Sequence, residues 1–386
     1  MFDAKALADE AAERLVEYRR YLHAHPELSF QETETAAFIR DRLDSAGVEI
    51  LPGVRGNSVV GLIDSGRPGK TVAFRADIDA LNLMEKNTDK PYCSQRPEVM
   101  HACGHDGHTA IALCLAEIMA AHREELTGKV KFLFQQGEER QPGGATLLVE
   151  DGMLADVDYV LGLHVQPEYP AGTVAAKAGP VSAAVDDFQL IIHGKGSHGA
   201  RPHLSHDPIM CGVSIATELQ QIVSRVSDPQ KPLVITIGKF AGGHARNIIP
   251  DDVELMATVR TYDPELRVLA EERIREVIEY VCKMHHCTYD LIYEHGYPAL
   301  INSPEGAELV RRAAGELGYT FTEAASSMGS EDFSYYLQVC DGAYFHIGSG
   351  DGVERFLHNP HYDMDESCLQ VGLACMLALY NKVTSE

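Results

Sequence analysis

Met100-His101-Ala102-Cys103-Gly104-His105-Asp106-Gly107-His108 gathers three imidazoles, a thiol and a carboxylate, with glycine at positions 104 and 107. Thiolate and imidazole are the ligands a borderline-soft divalent ion prefers, with carboxylate the usual third type. Cys103 and His105 are two apart, so they do not share a helical face. In extended backbone residues i and i+2 point the same way, and Gly104 lets the chain turn so that both reach one ion. The flanks of this stretch decide the fold. Upstream, apolar runs at 59–63 and 71–75 are separated by Gly66, Pro68 and Gly69 and read as strands, with Asp77-Ile78-Asp79 just beyond the second. Downstream come a helical pattern over 109–122 and a strand over 129–134, with Gln135-Gln136-Gly137-Glu138-Glu139 at its end. A short helix over 144–150 and a strand over 158–163 follow, with His164 just past it. Repeated strand–chemistry–helix units predict an α/β domain with a largely parallel sheet and its chemistry at the carboxyl ends of the strands.

Working outward, residues 4–24 carry Leu7, Ala11, Leu15, Tyr18 and Leu22 at helical spacing, and 31–46 reads as a second helix closed by Gly47. Between about 181 and 187 the pattern changes. Strands at 188–192, 233–240, 253–260 and 288–293 alternate with helices at 207–225 and 264–285. This β-α-β-β-α-β order is that of a ferredoxin-like module. Helical patterning returns at 304–317 and 366–383. The expected division is a catalytic domain in two parts, 1–184 and 297–386, interrupted by an α+β domain over 185–296.

A chain of 386 residues is long enough for two or three domains and a sizeable core. With 33 basic and 57 acidic residues the formal charge is −24, which disfavours nucleic acid and anionic membranes as partners. The nine cysteines follow no regular framework, no run reaches transmembrane length, and the first twenty residues are charged rather than signal-like. A reducing, cytoplasmic setting is expected.

Further candidate ligands lie at strand ends. Glu138 and Glu139 are adjacent carboxylates whose side chains diverge in extended backbone, so one can bind a metal while the other faces a water. Two such charges are costly together unless a cation compensates them. His164 and His358 are each weak evidence alone. With Cys103, His105 and a glutamate they make five potential ligands, too many for one catalytic zinc and enough for two ions. A second cluster comprises the glycine-rich stretches 194–203 and 242–247, which display His198 and Asn247, together with Arg260 at a strand end. These can serve as donors to a carbonyl oxygen and a carboxylate.

The motifs Arg75-Ala76-Asp77-Ile78-Asp79-Ala80-Leu81, the 101–108 stretch, Gly137-Glu138-Glu139 and Gly162-Leu163-His164 occur in this order. Gly196-Ser197-His198-Gly199-Ala200, Asn247-Ile248-Ile249-Pro250, Gly329-Ser330-Glu331-Asp332-Phe333 and Leu357-His358-Asn359 follow. Together they resemble the metal-dependent amidohydrolases that include hippurate hydrolase, aminoacylases and plant auxin-conjugate hydrolases, within the superfamily of dinuclear-metal aminoacylases and carboxypeptidases. The resemblance implies a two-domain α/β hydrolase whose inserted ferredoxin-like domain acts as lid and dimerisation domain. It implies two divalent ions (Zn, Mn, Co or Ni) on Cys103, His105, Glu139, His164 and His358, with Cys103 bridging. Glu138 is then the general base, and Asp79 orients a metal ligand. His198 serves a neighbouring subunit's site, and Asn247 and Arg260 contact the substrate carboxylate. The implied reaction is hydrolysis of an N-acyl amino acid or similar small conjugate, by a homodimer or higher homo-oligomer. Many relatives carry Pro-Ala where this chain has Gln136-Gly137, and Pro where it has Asn82. Neither change removes a ligand or the base, but both bear on pocket shape. A dinuclear dipeptidase or carboxypeptidase would share every ligand. A non-catalytic metal-binding scaffold would be expected to have lost Glu138.

Overall fold

The computed structural model describes residues 1–385, which form two compact units. The first comprises Met1–Val181, Ile301–Ala325 and the chain from Asp332 on, and the second Ser182–Leu300 with Ser326–Glu331. The hexapeptide Ser326–Glu331, in the Gly329-Ser330-Glu331 motif, thus belongs by its contacts with the second unit although it lies far beyond 296.

The first unit is built on an eight-stranded sheet among the described residues. Its order is Glu49–Ile50, Val59–Asp64, Lys129–Gln135, Thr71–Asp77, Tyr159–Pro170, Asp341–Gly350, Thr173–Ala176 and Thr320–Glu323. The four strands from Lys129–Gln135 to Asp341–Gly350 run parallel, and the flanks add antiparallel pairs, so the sheet is mixed. Every residue of Thr71–Asp77 is buried, as a central strand covered on both faces requires. Asp77 pairs with Gln135 and Arg75 with Gly162, so the ends of three parallel strands bring Asp77, Gln135 and His164 to one level. Two helices that are apolar nearly all round, His105–Ala121 and Cys368–Ser385, are buried beside the sheet and join its core through Ile111, Leu115, Leu373 and Leu377.

The second unit has four antiparallel strands in the order Leu233–Gly242, Asp252–Thr261, Ala184–His193 and Thr288–His295, with helices Pro208–Gln221 and Pro264–Met284. This is the ferredoxin-like arrangement. Its core unites Leu190, Leu255, Ile215, Leu219, Ile274 and Ile278. Both helices start in the expected way, with Pro at the first turn and Asp207 or Asp263 accepting two backbone N–H groups.

Three local expectations need correction. The helix expected over 4–24 is interrupted at Ala11, giving Ala4–Glu10 and Ala12–Ala24. The helix expected from 109 begins at His105, because Gly104 adopts a left-handed φ of 96° and turns the chain directly into it. His164 lies inside the long strand Tyr159–Pro170 rather than after it.

The start of helix His105–Ala121 is tied to both ends of the chain through Arg19, which is fully buried. Its guanidinium donates to Asp106 (2.9 Å), Asp363 (3.0 Å) and Glu366 (3.1 Å). His23 Nδ1 lies 2.7 Å from the same Asp106 oxygen. Burial alone would raise the Asp106 carboxyl, but Arg19 and His23 hold it far below the usual carboxylate range, and Arg19 and Lys90 act likewise on Asp363. Groups with depressed folded values stabilise the fold above their unfolded pKa, and that stabilisation is lost as pH falls through the folded value. Arg19→Met should therefore cost about 3–5 kcal/mol at neutral pH by stranding buried carboxylates. The gap to wild type should be widest above about pH 5 and narrow in acid, as the stranded carboxyls take up protons. Urea unfolding of both proteins from pH 7 to 4 measures it; a constant gap contradicts the assignment.

Candidate active site

Cys103, His105, Glu138, Glu139, His164 and His358 come together in the first unit. Three local devices aim them. Gly104 turns the chain between Cys103 and His105, so that His105 occupies the first position of its helix. His358, in left-handed backbone with φ 59°, donates its N–H to Ala102 O at 2.7 Å, which brings a residue 255 positions away to Cys103. Glu139 N donates to Asp79 Oδ2 at 3.0 Å, fixing the backbone beside Glu138.

The hydrogen bonds settle which ring nitrogen of each imidazole is available. His105 Nδ1 lies 3.0 Å from Asp79 O and 3.2 Å from Asp79 Oδ1. A carbonyl only accepts, so Nδ1 carries the proton. His105 Nε2 is then a buried nitrogen with no hydrogen bond among the described residues. His164 Nδ1 likewise donates to Val165 O at 2.6 Å, leaving Nε2 3.4 Å from Cys103 Sγ. His358 Nε2 is 3.3 Å from the same sulfur and 3.1 Å from Glu139 Oε1. That glutamate oxygen is buried, and its approach to His358 is too poorly aligned to count as a hydrogen bond. The ligand atoms of Cys103, His105 and His164 lie within 4.8 Å of one another, and so do those of Cys103, Glu139 and His358. Cys103 is common to both trios. His105, Glu138 and Glu139 form a third such group.

The electrostatics point the same way. Burial opposes a charge on His105, yet Asp77, Asp79 and Glu139 together lift it to about 10. Burial, with Glu139, Glu138 and Asp77, holds the Cys103 thiol well above its ordinary value. Burial keeps His164 neutral, helped by His108. An interior that draws a proton onto His105 and resists a thiolate is one that a divalent cation would relieve. The donor set of one thiol, imidazole lone pairs and a carboxylate thus fits divalent metal.

His108 belongs to the sequence stretch but not to this set. Its Nδ1 lies 2.6 Å from Asp77 Oδ1, and its Nε2 accepts the N–H of Val165 at 2.9 Å, so both nitrogens are used. Asp77 in turn meets Arg75, which also donates to Gln135 Oε1 (2.9 Å) and Asp332 Oδ1 (2.8 Å). Gln135 and Tyr336 complete the buried network. Sequence reasoning left His108, Gln135 and Tyr336 out of the site. The available signal was Arg75 and Asp77 at the end of an otherwise mostly apolar strand, since buried charges require partners.

His198, Asn247 and Arg260 are in the second unit. The short strands Ser197–His198 and Ile248–Ile249 pair antiparallel, and Gly199 N donates to Asn247 O at 2.8 Å, so His198 and Asn247 lie close together. The exposed His198 ring accepts Ala200 N–H on Nδ1 at 3.0 Å, which leaves Nε2 as its protonated nitrogen. Arg260 is half-buried, and its guanidinium donates to Thr258 and Ser330.

The chain has known relatives. The chain is 42% identical over 304 residues to an N-acyl-L-amino acid amidohydrolase of Geobacillus stearothermophilus, covering 79% of this chain and 82% of that protein. It is 37% identical over 369 residues to thermostable carboxypeptidase 1 of Saccharolobus solfataricus, covering 94% and 93%. Among solved structures it resembles the YXEP protein of Bacillus subtilis, described as a dinuclear metal binding peptidase, at 34% identity and a TM-score of 0.85, covering 98% and 99%. The model of peptidase family M20/M25/M40 matches residues 73–382, from the strand before Asp77 to the last helix, and the chain belongs to that family.

Proposed function

We propose that this protein hydrolyses the amide bond of N-acyl amino acids or related small conjugates, using two divalent ions of the Zn, Mn, Co or Ni type. The observation that carries this reading is the place of Cys103 in both ligand trios, which draw on His105, His164, Glu139 and His358 and leave Glu138 outside. The amidohydrolase relative supports the substrate class, and the dinuclear peptidase supports the pair of ions. Bound there, the ions would supply the positive charge that acidifies a water and polarises a scissile carbonyl.

The remaining work belongs to the chain. Glu138 takes the proton of the attacking water and delivers it to the leaving amine nitrogen. Asp79 holds the Nδ1–H of His105, so that the Nε2 lone pair stays with the ligand set. His198 donates from Nε2–H to the carbonyl oxygen as it gains negative charge. Arg260, with Asn247, holds the substrate carboxylate. His198 performs this role for a neighbouring subunit, in a homodimer made through the second unit. Leu233–Gly242 is an edge strand there, and Phe240 on it and Met210 and Val213 on the adjoining helix are exposed, an apolar surface that a second copy would cover. The nine cysteines are all free thiols, which suits the cytoplasm. Among the described residues no helix is long and apolar enough to cross a membrane. The carboxypeptidase relative keeps a second reading open, in which the same centre cleaves peptides and only the pocket differs.

Stripping the metal should abolish activity. Reloading with Zn, Mn, Co or Ni should restore release of free amino acid from N-acyl amino acids, measured across a panel that includes dipeptides. Cleavage of dipeptides alone would replace this reading with the second. Glu138→Gln should lower kcat by at least ~10²-fold while elemental analysis finds the metal content unchanged; a variant that keeps most of its activity refutes the proton shuttle. Phe240→Asp should convert the dimer to monomer in sedimentation and lose activity with it. A fully active monomer would remove His198 from the mechanism.

A further inference from the structure

We propose that Glu32 is a positioning residue for proton transfer, which with Phe30 clamps the backbone beside Glu138 and so sets the direction of the Glu138 carboxylate. This rests on the reading of Glu138 as the base. Glu32 lies more than a hundred residues earlier in sequence and is completely buried. Its Oε1 accepts Gly137 N–H at 2.8 Å and Phe30 N–H at 2.9 Å, and its Oε2 accepts from Asn57 Nδ2 at 3.2 Å.

Gly137 and Phe30 are both in left-handed backbone, with φ of 62° and 64°. A Cβ at position 137 would come within 2.5 Å of Phe30 Cζ, so the tip of the ring lies against the glycine. Across Glu138, the next amide is held by Asp79. One step further back, Gln136 N donates to Ser58 Oγ at 3.1 Å, and its side-chain Oε1 accepts Asn57 N–H at 2.6 Å. The 136–137 and 138–139 peptide units, which bracket Gly137 and Glu138, are thus each held by a buried carboxylate, Glu32 on the first and Asp79 on the second. A left-handed phenylalanine is strained unless its surroundings enforce it, and the Glu32 bond to Phe30 N–H supplies that. The clamp needs an acceptor at the Oε1 position more than it needs a charge. Burial, and then Asp79, raises the Glu32 carboxyl to about 7, and a glutamine of the same shape keeps the Oε1 acceptor, with the Asn57 amide turned so that its oxygen meets the new NH2.

The test uses full-length, metal-loaded enzyme and whichever compound of the acyl-amino-acid and dipeptide panel is cleaved fastest. Glu32→Asp withdraws the carboxyl by ~1.5 Å and should lower kcat by ~10- to 100-fold, with KM within about twofold and metal content intact. Glu32→Gln should keep kcat within about threefold of wild type. An Asp variant of normal kcat, one that loses its metal together with its activity, or a Gln variant that falls as far as the Asp variant would each overturn the clamp. If Glu32→Asp does not fold, Phe30→Leu, which removes the ring but keeps the backbone N–H, takes its place with the same expected kcat loss. Glu138→Gln measured alongside separates the two ideas. Activity in that variant brings down the base itself, whereas an inactive Glu138→Gln beside a normal Glu32→Asp brings down the clamp alone.

Discussion

An ionised carboxylate taken out of water costs several kcal/mol unless cations or N–H donors meet it. The first unit buries a series of them: Glu32, Asp77, Asp79, Asp106, Glu138, Asp332 and Asp363. Two arginines meet part of the series. Arg75 lies between Asp77 and Asp332, and Arg19 gathers Asp106 and Asp363. For Asp79 the compensation is a set of hydrogens, from Ser29 Oγ, His105 Nδ1 and Glu139 N. Glu139 has only imidazoles, His105 and His358, within ion-pair distance among the described residues. Fixed cations therefore sit at carboxylates outside the ligand set (Asp77, Asp106, Asp332 and Asp363), and Glu139 within it has none among the described residues. That gradient is what a metal site requires, because a neighbouring guanidinium would compete with the ion.

The same constraint explains why three histidines in one short stretch do different things. His101 is fully buried, and burial lowers it to about 4, so it stays neutral near Asp106. His108 has both nitrogens engaged, one on Asp77 and one on Val165 N–H. Only His105 has one nitrogen donated to an oxygen and the other left bare. Spacing cannot make this distinction: His105 and His108 are three apart on the helix that begins at His105, and His101 precedes it by four residues. The distinction is made by Asp77 and Val165, which reach the stretch from two strands, and by Asp79, just past the end of the first.

This marks how far the sequence could be read. Elements whose apolar period is undisturbed were legible nearly to the residue: Gly144–Glu150 and Pro304–Leu317 have the expected limits, and the ferredoxin-like order was recoverable from alternation and capping. The strand Asp341–Gly350 was missed, although it lies between two other strands of the main sheet, because its glycines and its histidine dilute the apolar run. The candidate ligands were legible because Cys, His and paired Glu are metal-binding residue types and fell in short, glycine-punctuated or apolar-flanked stretches. Their supports were not, because Arg19 looks like any charged residue of an amphipathic helix until Asp106 and Asp363 close on it.

Glu32 shows the limit most clearly. In sequence it reads as a polar residue in the first turn of the helix expected over 31–46, where acidic residues are common for their effect on the helix dipole. Yet its side chain makes no bond to its own helix and turns instead to Gly137 and Asn57. Gln136-Gly137 stands where many similar proteins have Pro-Ala, and the two readings of that departure are physically different. As a change of pocket shape it would be neutral for the chemistry. As part of the support it is not neutral. A proline at 136 could not donate to Ser58, and a side chain at 137 would meet the Phe30 ring. In this chain the backbone leading into the glutamate pair is therefore held by a glycine conformation and a buried acceptor on Glu32.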